Sequence, residues 1–235
     1  MMRLDKILAD MGVGTRSQVK KLIRDGAVRV NGEIVSDPRI NFNPEASDIL
    51  IHEEPLVYQK FFYYMLNKPS GTLCVANSPH TVMNLIHEPI KGLFPVGRLD
   101  KDTEGLLLIM NDGNLCHELL SPKQHVDKVY YVQLRDPLNE ETIQRIEAGI
   151  VEEGGDAFLP GKVKACSSSS CRLTIHEGKY HEVKRMFEAC NNKVTYLKRE
   201  QFGDVVLDPS LKPGQYRALT EAEVNSLRFR QQKEQ

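Results

Sequence analysis

The stretch "FPVGRLDKDTEGLLLIMND", residues 94–112, sets two charges, Arg98 and Asp100, directly before an apolar run. Leu106–Met110 reads as a buried strand, so the charged turn ahead of it stands at the strand's mouth, half in solvent. A carboxylate there either joins an ion-pair loop on the surface or is held at a cleft by its own arginine. The second case is chemically useful. A carboxylate can act as a nucleophile that splits one hard step into two. Burial alone favours the protonated acid, so a carboxylate kept ionised at a cleft needs a cation beside it.

Other residues of the same kind lie further along. "KVYYVQL", residues 128–134, alternates as a strand does, which sends Tyr130 and Tyr131 to opposite faces so that one can enter a cleft. "KYHEVKRMFEAC", residues 179–190, reads as a helix with Val183 and Phe187 on one face, and His181, Lys184 and Arg185 lie on its adjacent turns. At least one of these three must face the sheet. The seven histidines show no paired ligand spacing, and neither a phosphate-binding loop nor a dinucleotide glycine fingerprint is present, so no metal or cofactor is expected.

The chain that positions these groups has 235 residues, 40% hydrophobic and 27% charged, values that suit a globular protein with a proper core. The five cysteines include no C-x-x-C pair, which excludes a zinc knuckle and fits free thiols in a reducing compartment. The N-terminus has no apolar signal segment, and no run is long enough to span a membrane, so a cytoplasmic location is expected. The net charge of −1 hides an asymmetry. Residues 1–40 hold eight Lys/Arg against five Asp/Glu, so this segment is +3 and the remainder −4. A basic front on a mildly acidic body suggests a module that binds a polyanion.

That front reads as two short helices and a hairpin. Leu4, Ile7, Leu8 and Met11 form one helical face, ended by Gly12 and Gly14. Thr15 and Gln18 have the capping-box spacing for a second helix, in which Val19, Leu22 and Ile23 point inward. Arg16, Lys20 and Arg24 recur every four residues as a cationic stripe, with Lys21 beside it. Val28 and Val30 alternate ahead of Asn31-Gly32, a type I′ hairpin signal. A short strand is expected at 48–52 and a linker at 53–60.

In the larger part, strands are expected at 61–66, 106–110, 128–134, 171–178 and 193–200, with a Pro/Gly turn at 67–71. Helices are expected at 114–121, 139–150 and 179–190, with a last one capped by Thr220 and Glu223. Strands come in runs that are not each followed by a helix. The fold class is therefore α+β, with a mixed, mostly antiparallel sheet flanked by helices.

"RLDKILADMG…TRSQVKKLIRDGAVRVNGEIV" resembles the S4 RNA-binding module. "YMLNKPSG", "GRLDKDTEGLLLIMNDG", "SPKQHVDKVYYV", "EGKYHEVKRMF", "LKREQFG" and "LKPGQYRALTEAE" follow the order and spacing of the RsuA-type ribosomal pseudouridine synthases. The resemblance covers nearly the whole chain. It implies an S4-like RNA-binding domain at 1–58 and a pseudouridine synthase domain at 61–235.

It further implies that Asp100 is the nucleophile, attacking C6 of the uracil or C1′ of the ribose, or acting by way of a glycal. Lys184 is then its cation partner and Tyr130 the ring against the base. Arg98, His181, Arg185 and Leu197 would contact RNA in the cleft. Arg16, Lys20, Lys21 and Arg24 would contact it on the front module. Lys179 and Glu182, which depart from the commoner family pattern, would face RNA or solvent.

The implied activity is isomerisation of one uridine in 16S rRNA, the family's site being pseudouridine 516. A 23S rRNA site and a non-catalytic ribosome-assembly factor are the competing readings. The implied partner is 16S rRNA or the assembling small subunit, with the protein a monomer. The reaction is redox-neutral and hydrolyses nothing, so it is consistent with a cofactor-free site.

Overall fold

In the computed structural model, which describes residues 1–75, 78–152 and 154–229, the chain divides into two units. The first is Met1–Phe62 together with His87–Leu93. The second is Tyr63–Ile86 together with the chain from Phe94. The last six residues, "RQQKEQ", lie outside the described residues.

The first unit opens with β1 (Met2–Arg3), which pairs antiparallel with β4 (Asn41–Phe42). Helices α1 (Leu4–Asp10) and α2 (Arg16–Arg24) follow β1. Thr15 and Gln18 form the reciprocal capping box at the start of α2. Apolar spacing buries Leu4, Ile7 and Leu8 from α1 and Val19 and Ile23 from α2 in one core with Val28, Val30 and Ile49. Strand β2 (Val28–Val30) turns into β3 (Glu33–Ile34) through Asn31 and Gly32, both at positive φ, as a type I′ turn requires. Strands β5 (Ile49–Ile51) and β6 (Glu54–Pro55) complete the order β3-β2-β5-β6. The segment expected to be plain linker thus opens with a strand. Its turn is made by His52 and Glu53 at positive φ, with no glycine or asparagine to announce it.

The second unit comprises β7 (Tyr63–Lys68), β8 (Phe94–Pro95), β9 (Glu104–Met110), α3 (Gly113–Leu120), β10 (Lys128–Leu134), α4 (Glu140–Ala148), β11 (Ile150–Val151) and β12 (Ala157–Phe158). It continues with β13 (Lys162–Ser167), β14 (Ser170–Ile175), α5 (Glu182–Ala189), β15 (Val194–Phe202), β16 (Val205–Val206), β17 (Tyr216–Ala218) and α6 (Glu221–Phe229). The main sheet runs β13-β14-β10-β15-β9-β7-β17, with β16 on β15 and β8 on β9. All its pairings are antiparallel except β15 with β9. The sheet is therefore mixed and mostly antiparallel. β7 is buried along its whole length and β9 from Gly105 onward, which explains their unbroken apolar runs. β10 instead alternates, with one face covered.

Three local expectations are corrected. β7 begins at Tyr63 and keeps Asn67 and Lys68, which pair with Leu106 and Gly105, where a turn was expected. Helix α5 starts only at Glu182, because His181 takes a left-handed backbone with φ of 49° ahead of it. Glu182 is buried rather than facing solvent, and its carboxylate accepts the Lys179 backbone N–H at 2.8 Å. The polar run hid this, since a glutamate can enter a core when a backbone donor meets it.

Gly105 holds the seam between β9 and β15. Its φ is +98°, and a Cβ there would lie 2.2 Å from the Arg199 carbonyl oxygen. Gly105→Ala is expected to cost about 3 kcal/mol or more from strain and overlap. Thermal unfolding should show this as a fall of roughly 6–12 °C in Tm. Glu182 gives a second test. Burial raises its pKa, against the opposing pull of the Lys179 N–H. The fold thus favours the neutral acid, a preference fully satisfied below the ordinary glutamate value and lost as pH rises through the raised one. Glu182→Gln, which stays neutral, should raise Tm at about pH 7.5 and leave it unchanged at about pH 4.

Candidate active site

Asp100 lies in the turn between β8 and β9, with its side chain 27% exposed. Backbone bonds tie this turn down. The Thr103 N–H donates to the Asp100 carbonyl at 3.2 Å, and the Gly71 N–H donates to the Lys101 carbonyl at 2.7 Å. Underneath, the fully buried Lys68 ammonium donates to the carbonyls of Thr103 (2.8 Å), Pro69 (3.2 Å) and Lys101 (3.3 Å). Burial lowers the Lys68 pKa, while the nearby Asp102, Asp100 and Glu104 oppose that shift. Lys68 was not among the expected site residues. Its quoted motif, "NKPSG", looks like a turn, and the cation's target is carbonyl oxygen, which leaves no pattern of opposite charge in the sequence.

One oxygen of Asp100 lies 3.1 Å from the Lys184 ammonium and the other 3.5 Å from His181 Nε2. Lys184 also binds Asp102 at 2.6 Å. Burial works against its charge, but Asp102 and Asp100 outweigh it and hold the Lys184 pKa above the ordinary lysine value. The same contact lowers the pKa of Asp102, which is largely exposed. The cation beside Asp100 is therefore Lys184, and the alternative that its own Arg98 holds it is corrected. Among the described residues Arg98 has no ion pair; it is exposed at the rim of the cleft.

The cleft around Asp100 holds about 60 Å³ and is lined by Arg98, Tyr130, His181, Lys184 and Leu197 among others. It adjoins a cavity of about 380 Å³ that shares Arg98, Tyr130, Gly178 and Lys179 with it and reaches Lys128 and Arg199. Tyr130 is buried, and burial raises its phenol pKa, opposed by the Arg199 guanidinium. Arg199 faces Tyr130 across β10 and β15 and donates to the Leu106 carbonyl at 2.8 Å, while its Nη2 has no hydrogen-bond partner among the described residues. Tyr131, on the opposite face, packs edge-on against Tyr196 at 6.3 Å.

The cleft thus brings Asp100, Tyr130, Lys184, Arg98, His181 and Leu197 together. Arg185 does not join them. One residue along α5 from Lys184, and so about 100° around it, it binds Glu152 and, at 2.5 Å, Asp156, with its guanidinium over Phe158. Its pKa is raised by those two carboxylates.

In the first unit, Lys20 and Arg24 line a concavity of about 510 Å³ with Arg3 and Arg39, and Arg16 and Lys21 are exposed on the same helix. Arg3 and Arg39 escaped the sequence reading because they come from outside α2 and share no period with its stripe. The Arg39 backbone and guanidinium lower the pKa of Asp37, the one carboxylate lining this concavity among the described residues.

Residues 62–189 match the family described as RNA pseudouridylate synthase, and residues 2–46 match the S4 domain. The chain is 44% identical to the Bacillus subtilis protein named uncharacterized RNA pseudouridine synthase YtzG, over 96% of this chain and 98% of that one. It is 42% identical to ribosomal small subunit pseudouridine synthase A of Haemophilus influenzae, over 96% of this chain and 99% of the relative. For the protein of the same name in Escherichia coli K12 the identity is 39%, over 96% and 100%. A crystal structure of pseudouridylate synthase superposes with a TM-score of 0.69 at 41% identity, covering 97% of this chain and all of that one. With a site of this composition and matches of this extent, the chain belongs to the RNA pseudouridylate synthase family, isomerases of uridine in RNA, and carries an S4 domain ahead of the catalytic one.

Proposed function

We propose that this protein isomerises one uridine of 16S rRNA, at the position equivalent to 516, with Asp100 as the nucleophile. The observation that carries the reading is the Asp100 carboxylate, held at the cleft between Lys184 and His181 beside Tyr130. Its ribosomal substrate is inferred from the near full-length likeness to small subunit pseudouridine synthases. Residues 1–58 act as the RNA-binding domain and residues 61–235 as the catalytic domain, in a cytoplasmic monomer.

Each group has a task that its surroundings suit. The Lys184 ammonium, 3.1 Å away, orients the Asp100 carboxylate and pairs with its charge in the cleft. Asp100 adds to the uridine, the N–C glycosidic bond breaks, the base turns, and a C–C bond forms from C5 to the same ribose. The proton lost from C5 is balanced by one gained at N1, and the bond to Asp100 breaks to release the carboxylate. The covalent step splits one hard exchange of bonds into two, and the cleft holds the detached base while it turns. Tyr130 lies flat against the uracil, and its hydroxyl is placed to take part in proton transfer.

The cleft alone, at about 60 Å³, is smaller than typical small-molecule sites. A flipped nucleotide therefore also uses the adjoining cavity of about 380 Å³. Arg98 at the shared rim meets the RNA, offsetting part of the few kcal/mol that unstacking costs. Leu197 walls the base site and His181 contacts the RNA beside Asp100. On the front module Arg16, Lys20, Lys21 and Arg24, with Arg3 and Arg39, contact phosphates and select folded RNA by shape.

Four measurements test this reading. Asp100→Asn should lower pseudouridine formation at least about ten-thousand-fold while RNA binding persists, and turnover above about 1% of wild type would overturn the nucleophile assignment. Tyr130→Phe should lose most activity and Tyr131→Phe far less, because only the first hydroxyl lies in the cleft. Replacing Arg16, Lys20 or Arg24 by Gln should flatten the log–log salt dependence of binding by roughly 0.7–0.9 units each. Primer-extension mapping in a deletion strain decides the substrate. Loss of a 16S pseudouridine is expected, and loss of a 23S one with 16S intact would overturn the assignment.

A further inference from the structure

The face of the sheet opposite Tyr130 carries a row of side chains that the proposed reaction does not use. Strand register sets Lys164 of β13 against Arg172 of β14, Arg172 against Tyr131 of β10, and Tyr131 against Lys198 of β15. Directly opposed residues point to the same side of a sheet, and strands lie about 4.8 Å apart, so the row crosses roughly 14 Å. Lys162, two residues from Lys164 on β13, shares that face. Lys162, Lys164 and Arg172 are exposed, and Tyr131 and Lys198 are half-buried.

Two features separate this row from an ordinary solvated face. Arg172 binds Glu200 at 2.7 Å, but Lys162, Lys164 and Lys198 have no ion-pair partner among the described residues. Two rings, Tyr131 and the edge-on Tyr196, stand among these cations. At one end the row opens into a cavity of about 450 Å³ between Arg172, Lys198, Val129, Val206 and Leu207. Asp208, which also lines that cavity, is engaged by Arg217 at 2.7 Å. Val206 exposes 56% of its surface there and offers an apolar surface on which a base can pack.

We propose that this row is a second RNA-binding surface, holding a single-stranded stretch of the substrate on the back of the sheet. The proposal rests on the reading above that the substrate is RNA. Cations that follow a backbone, interleaved with rings on which bases stack, are what sequence-tolerant single-strand binding requires. A protein partner fits less well, because lysine is depleted at protein–protein interfaces. RNA that enters the cleft on one face and continues along the other is gripped on both sides of the flipped nucleotide.

The test uses the full-length protein, a 16S rRNA transcript and single-stranded oligouridylate. Lys164→Gln with Lys198→Gln, neither of which has an ion pair to lose among the described residues, should keep the wild-type Tm. The double variant should flatten the log–log salt slope of binding by about 1.4 units. It should also raise KM for the transcript more than it lowers kcat. Tyr131→Ala should weaken binding about tenfold through lost stacking. Wild-type affinity and slope in the double variant would overturn the proposal. Normal binding in vitro with modification lost in cells would also overturn it, and would assign the row to a protein partner. If the wild type fails to modify 16S rRNA, the substrate reading fails separately, and the slope on oligouridylate still decides whether the row binds RNA.

Discussion

The buried ammonium of Lys68 lies beneath the turn that carries Asp100, and much of the site depends on it. It reaches no solvent and satisfies itself on three backbone carbonyls, two of them in the turn itself. A cation out of water is costly unless such acceptors surround it. The same bonds that relieve that cost fix the path of residues 101–103. Asp100 is therefore presented from a rigid base, although its segment is a turn at the end of a strand.

Above that base, Lys184 balances a pair of carboxylates rather than one. It bonds Asp102 more closely than Asp100, at 2.6 Å against 3.1 Å. Asp102 is largely exposed, so that bond is screened by solvent and contributes little to stability. Its consequence is positional. The ammonium is held over the turn from the outside while the second oxygen of Asp100 faces His181. The geometry thus pairs the Asp100 carboxylate with a cation at the cleft.

The buried arginine on the neighbouring strand lies against the other proposed site residue, Tyr130. Arg199 lies across from Tyr130, anchored on the Leu106 carbonyl of β9. Gly105 lets this happen, because β9 and β15 approach there more closely than any side chain at that position would allow. A single parallel pairing in an otherwise antiparallel sheet thus connects the strand behind Asp100 to the strands that bear Tyr130 and Leu197.

Much of this was legible in the residues alone. Helical spacing, the Thr15–Gln18 box and the Asn31-Gly32 turn located the elements of the first unit, since capping and turn chemistry act over a few residues. Alternation in 128–134 sent Tyr130 and Tyr131 to opposite faces, because a strand's period needs no tertiary information. Tertiary structure decided the rest. Arg185 and Lys184 are adjacent in sequence, yet in the fold Glu152 and Asp156 draw Arg185 away from the cleft. Glu182 reads as a surface residue until a backbone N–H three positions earlier meets it in the core. Lys68 has no local signature, because its acceptors are backbone carbonyls common to every residue. Arg3 and Arg39 join the concavity of Lys20 and Arg24 from outside α2, sharing no period with its stripe. Short-range order is written in spacing and residue type, whereas the choice of partner for a charge waits until the fold brings its neighbours into reach.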